Sequence, residues 1–67
     1  MTILLNNRTE VFDDEQLSVS RMLELKKFTF RMRIIKINGI LVPKDRYDST
    51  FIIEGDNVQM LYLMSGG

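Results

Sequence analysis

The chain has 67 residues and a mass of 7.9 kDa, room for one small domain that buries about 60% of its unfolded surface. It contains no cysteine and no histidine, which excludes zinc sites built on those residues, Ser-His-Asp triads and Cys-His dyads. Nine Lys+Arg balance nine Asp+Glu to a formal net charge of zero, and this argues against a strong nucleic-acid footprint. Hydrophobic residues at 45% and charged residues at 27% belong to an ordinary folded soluble domain.

The start, Met1 to Asn7, is apolar only over Ile3, Leu4 and Leu5, too short for the hydrophobic region of a signal peptide. No apolar run approaches the length of a membrane span, so the expectation is a cytoplasmic protein with no membrane partner. Thr2 to Asn6 reads as a strand, Asn6-Asn7-Arg8 as a turn, and Thr9 to Phe12 as a second strand closing a hairpin. Asp13-Asp14-Glu15-Gln16 reads as a solvated connector, because three consecutive carboxylates point in different directions and have no distant partner at ligand spacing. No metal site is expected.

One helix follows, with Ser18 as its N-cap, a contact worth on the order of 1 kcal/mol. Leu17 and Met22 have the spacing of a hydrophobic staple. Val19, Met22, Leu23 and Phe28 form an inward stripe, while Arg21, Glu24 and Lys27 face water. Lys26 and Lys27 also suit the negative end of the helix dipole. Thr29 to Arg31 reads as loop and Met32 to Asn38 as a strand rich in β-branched residues. Asn38-Gly39 is a strong hairpin signal, joining that strand to Ile40-Leu41-Val42, which Pro43 ends. Lys44 to Asp48 reads as a turn or one helical turn, Phe51 to Ile53 as a short extended piece, and Glu54-Gly55-Asp56 as a tight turn. Asn57 to Met64 is the last strand, and Ser65-Gly66-Gly67 trails from it. The order β-β-α-β-β-(short)-β with a single helix gives an α+β class, one helix packed on one face of a mixed sheet of four to five strands.

The other sheet face is then partly exposed, and period-two parity says what lies on it. Val58, Met60 and Tyr62 share one face of the last strand, and Gln59, Leu61 and Leu63 the other. Ile3 and Leu5 oppose Leu4, and Ile35 and Ile37 oppose Ile34 and Lys36. Assigning the first-named set of each strand to the core leaves Leu4, Ile34, Leu61 and Leu63 outward. Clustered, these four would form a partner surface.

The Gly66-Gly67 pair is the other unusual feature: glycines can thread a narrow channel and leave a terminal carboxylate sterically open. Together with the Met1-Thr-Ile-Leu-Leu-Asn6 start, the Leu17-Ser18-Val19 helix entry, Ile37-Asn38-Gly39-Ile40-Leu41-Val42-Pro43 and Gly55-Asp56-Asn57-Val58, it makes the whole chain resemble the ThiS family of sulfur carriers, ubiquitin-like β-grasp proteins of thiamine biosynthesis. Two departures stand out. The family usually has a glycine soon after the helix, where Lys27-Phe28-Thr29-Phe30 runs on here. The aromatic that follows its Val-Pro motif, often tryptophan, corresponds to Tyr47.

The expectation is one β-grasp domain over residues 1–67 with a flexible Gly-Gly tail at 65–67, and the resemblance implies a protein consumed as a co-substrate rather than an enzyme. An E1-like adenylyltransferase (ThiF) would use ATP to activate the Gly67 carboxylate. A sulfur donor protein would convert it to a thiocarboxylate, and thiazole synthase (ThiG) would take the sulfur. No cofactor would be bound by the carrier itself. Ser65 and Gly66 would supply reach, and Leu4, Ile34, Leu61 and Leu63 would dock the partners. The alternatives are a carrier for molybdopterin or amino-acid synthesis, a β-grasp interaction module, and a modifier attached to lysines. For an enzyme in its own right the polar candidates are Lys36, Lys44, Arg46 and Tyr47, with no base placed to activate them. Arg31 and Arg33, on one strand face, suit an acidic partner or a solvated edge.

Overall fold

The computed structural model describes residues 1–27 and 33–62. Among these residues seven strands and one helix succeed one another: β1 (Thr2–Leu5), β2 (Arg8–Val11), β3 (Gln16–Ser18), α1 (Val19–Leu25), β4 (Arg33–Ile37), β5 (Ile40–Val42), β6 (Phe51–Ile53) and β7 (Asn57–Tyr62). A 3₁₀ turn, Lys44–Arg46, separates β5 from β6. Five strands form one mixed sheet in the order β2-β1-β7-β4-β5, in which β1 and β7 run parallel and the other neighbours antiparallel. With α1 on one face, this is the β-grasp architecture expected above.

Two hairpins build the flanks of the sheet, and asparagine makes both turns. Asn6 and Asn7 have φ of 52° and 66°, and Asn38 and Gly39 have 52° and 81°. Two successive positive φ values give the mirror-image turn whose twist matches that of the flanking strands, and Asn and Gly tolerate it best. Because the first turn consumes only Asn6 and Asn7, Arg8 already pairs with Leu5. The second strand therefore runs from Arg8 to Val11 rather than from Thr9 to Phe12. Phe12 still binds the sheet edge, its N–H donating to the Met1 carbonyl at 2.8 Å.

The polar connector at Asp13–Gln16 is a correction in part. Asp13, Asp14 and Glu15 are exposed, but Gln16 opens β3, which pairs antiparallel with β6 through Gln16–Ile53, Leu17–Ile52 and Ser18–Phe51. Ser18 caps α1 as expected, its Oγ accepting the Arg21 N–H at 3.0 Å. Val19, Met22 and Leu23 turn inward, while Leu17 is buried outside the contiguous cluster that holds Met22. Phe28 lies outside the described residues. The helix ends early: Lys26 and Lys27 donate to the Met22 and Glu24 carbonyls, each at 3.0 Å, and Lys27 adopts φ 59°. That left-handed residue stops a helix. The Lys26 ammonium reaches the Glu10 carboxylate on β2 at 2.6 Å, fastening the helix end to the sheet.

The core is continuous from sheet to helix. Ile3 and Leu5 of β1, Ile35 of β4, Val58 and Met60 of β7, and Val19, Met22 and Leu23 of α1 are joined by Val42, Tyr47 and Ile52. Strand parity is right for Ile3, Leu5, Ile35, Val58 and Met60. Tyr62 is the exception: it shares a face with Val58 and Met60 yet is 50% exposed. A seven-residue helix is only about 10 Å long, so it does not cover a strand of six residues to its end.

Candidate functional site

The strand nearest the Ser65-Gly66-Gly67 sequence is β7, and it is the middle strand of the sheet. Its start is clamped by side chains. The Asn38 carboxamide accepts the Asn57 N–H through Oδ1 at 2.9 Å and donates from Nδ2 to Asp56 Oδ1 at 3.1 Å. Asp56 Oδ2 accepts the Ile53 N–H at 3.0 Å, so the turn before β7 is held from both sides. Further along, β1 runs out at Leu5, and the turn residue Asn6 takes its place. Its N–H donates to the Val58 carbonyl at 2.9 Å, and its Oδ1 accepts the Met60 N–H at 2.8 Å. Both hairpin asparagines thus set a backbone turn and complete the ladder of β7. The hairpin signals were legible in the sequence; the second role was not, because it depends on which strand comes to lie beside each turn.

The outer face carries the expected apolar residues, in a different arrangement from a single cluster. Ile34 on β4 and Leu61 on β7 are direct cross-strand partners, and Leu61 is 52% exposed. Leu4, 41% exposed, lies beside Asn57 in the parallel β1–β7 pair. Four residues of β7 separate that position from Leu61, about 13 Å along the strand. Leu4 is therefore a separate point on the face, and the Ile34–Leu61 pair is its apolar centre nearest the end of β7. Leu63, Ser65, Gly66 and Gly67 lie outside the described residues. Leu41 was missed. Opposite Lys36 on β5, it is 56% exposed on this same face, and parity applied to Ile40–Val42 from the Asn38-Gly39 turn would have found it.

The polar residues weighed as catalytic do not converge. Lys44 and Arg46 are exposed on the 3₁₀ turn, Lys36 lies on the outer sheet face between Gln59 and Leu41, and the Tyr47 ring is buried in the core. Arg33 is partly buried rather than a solvated edge charge, its guanidinium 5.4 Å from the centre of the Tyr47 ring, an arrangement that favours a cation. Arg31 lies outside the described residues. Among the described residues no three acidic side chains gather as a metal site, and no helix is long and apolar enough to cross a membrane.

Comparison with known proteins agrees with the fold. The chain is similar to a thiamine biosynthesis protein (ThiS) from Geobacter metallireducens known from a crystal structure: 29% identity, all of both chains covered, TM-score 0.89. The solution structure of a thiamine biosynthesis protein from the same organism also matches, with 29% identity over all of this chain and 88% of that one, and a TM-score of 0.79. No curated protein sequence matches. The family model for ThiS matches residues 3–67, and the chain belongs to the ThiS family.

Proposed function

We propose that this chain is a cytoplasmic sulfur carrier of thiamine biosynthesis, a protein co-substrate that partner enzymes act upon. The observation that carries the reading is the family match, which extends through Ser65, Gly66 and Gly67. An E1-like, ThiF-type adenylyltransferase joins the Gly67 carboxylate to the AMP part of ATP, and pyrophosphate leaves. A sulfur donor protein then delivers sulfur at the sulfide level (HS⁻) to the activated carbonyl, the bond from that carbonyl carbon to the AMP oxygen breaks, AMP departs, and a Gly67 thiocarboxylate remains. A ThiG-type thiazole synthase takes that sulfur into the thiazole ring.

The carrier supplies position rather than side-chain chemistry. Five residues span at most about 17 Å, so Gly67 can reach that far from Tyr62 into a partner. Asn6, Asn38 and Asp56 hold the strand from which the reach begins. The Ile34–Leu61 pair, with Leu63 beyond it and Leu4 at the far margin, docks the partners by burying apolar surface. With no cysteine in the chain, no internal thiol competes for the activated carbonyl.

The test is intact mass after incubation with ATP, the cognate activating enzyme and a sulfur source. An adenylate adduct followed by the exchange of one oxygen for one sulfur is the expected result. Gly67→Ala, or one residue added after Gly67, abolishes both changes while the fold is kept. Normal thiocarboxylate formation by either variant refutes the mechanism.

A further inference from the structure

A second apolar feature lies at the free edge of the sheet. A groove of about 530 Å³ runs along β5, walled by Ile37, Ile40, Val42, Pro43 and Phe51. Arg46 is the only charged residue among the described residues lining it. Among the described residues Arg46 makes no ion pair, the pairs there being Arg21 with Glu24 and Lys26 with Glu10. Ile40 is 71% exposed although parity puts it on the helix side, because the core stops short of this edge.

The backbone of β5 adds a third kind of contact. In a two-residue hairpin the residues flanking the turn, Ile37 and Ile40, form a hydrogen-bonded pair. Antiparallel alternation makes Ile35 and Val42 the next such pair. The N–H and C=O of Leu41 therefore point away from β4, and among the described residues β5 has no other neighbour in the sheet. An unpaired donor and acceptor side by side recognise another main chain, apolar walls recognise aliphatic side chains, and a lone cation recognises a carboxylate.

We propose that this groove docks an extended peptide segment of a partner protein. The segment pairs its backbone with Leu41, seats alternate aliphatic side chains between Ile40 and Phe51, and sets an Asp or Glu carboxylate on Arg46. A second copy of the chain fits less well, because Ile40-Leu41-Val42 brings no acid to match Arg46. The site is independent of the sulfur-carrier reading and compatible with it. Ile37 and Arg33 are four residues apart on β4, about 13 Å, and it is Arg33 that lies opposite Tyr62 at the end of β7.

The experiment selects a degenerate library of eight-residue peptides by binding to the full chain, then titrates the selected peptide while recording amide spectra. The expected sequences alternate aliphatic residues and end in Asp or Glu, and they shift the amides of Ile40, Leu41 and Phe51. Arg46→Glu, at an exposed side chain, weakens that peptide by about tenfold and turns the selected charge from acidic to basic. Methylating the peptide nitrogen that faces Leu41 weakens binding as well. The proposal is overturned by failure to enrich any sequence, by a preference that Arg46→Glu does not reverse, or by shifts confined to the Ile34–Leu61 face. Self-association through the Leu41 edge without peptide overturns it too.

Discussion

Asn6→Gly isolates one hydrogen bond that secures the strand from which the C-terminal residues depart. Glycine adopts the positive φ of Asn6 without steric cost, so the turn survives and only the carboxamide is lost. The Met60 N–H, part-buried, then has no acceptor at 2.8 Å. Leaving such a donor unsatisfied costs about 1–2 kcal/mol. Asn7→Gly is the control: Asn7 has a φ of 66° and no side-chain bond to β7, so it reports the entropy of adding glycine to the same turn. Urea denaturation should place Asn6→Gly about 1–2 kcal/mol below Asn7→Gly with an unchanged slope. Native-state hydrogen exchange should show the Met60 amide about tenfold less protected in Asn6→Gly. Equal stabilities and equal Met60 protection in the two variants would refute the view that Asn6 extends the ladder of β7 past the end of β1.

Lys27→Gly should stabilise the fold by about 0.5–1 kcal/mol, since a left-handed residue with a Cβ costs about 1–2 kcal/mol and glycine returns part of that as entropy. Lys27→Ala, which keeps the Cβ, should leave the urea midpoint nearly unchanged, and a drop on Lys27→Gly would contradict the helix-stop role of φ 59°. Leu61→Asp, at a half-exposed position opposite Ile34, should cost about 1 kcal/mol or less in stability and at least about tenfold in affinity for the activating enzyme. Leu4→Asp, some 13 Å away along β7, should have the smaller effect in the same binding assay; the reverse ranking would move the docking centre to the other end of the face.

Local chemistry explains which parts of this fold were readable from the sequence. Asn6-Asn7 and Asn38-Gly39 announce hairpins because positive φ is demanded there whatever surrounds them, and Ser18 announces a helix for a similarly local reason. The β3–β6 ribbon was half hidden: three residues with one buried leucine are too few to display a period, and the partner strand lies more than thirty residues away. Parity named the faces of Leu4, Ile34 and Leu61 correctly, but a face is not a position. The offset between Leu4 and Leu61 comes from the parallel β1–β7 register, which joins the two extremes of the chain and leaves no trace in either segment alone. The placement of Arg33 over the Tyr47 ring was unreadable for the same reason.

Asn6 and Asn38, the two turn residues that complete the ladder of β7, impose an order on assembly. Each hairpin closes over a short loop and can form early, whereas β7 needs neighbours drawn from both ends of the sequence. The slot for β7, with its terminal acceptors on Asn6 and Asn38, exists only once the two hairpins stand side by side. A chain with either hairpin misformed therefore has no seat for the strand that leads to Gly67. For a protein whose proposed substrate group is that residue, completion of the sheet acts as a check on quality before any partner is engaged.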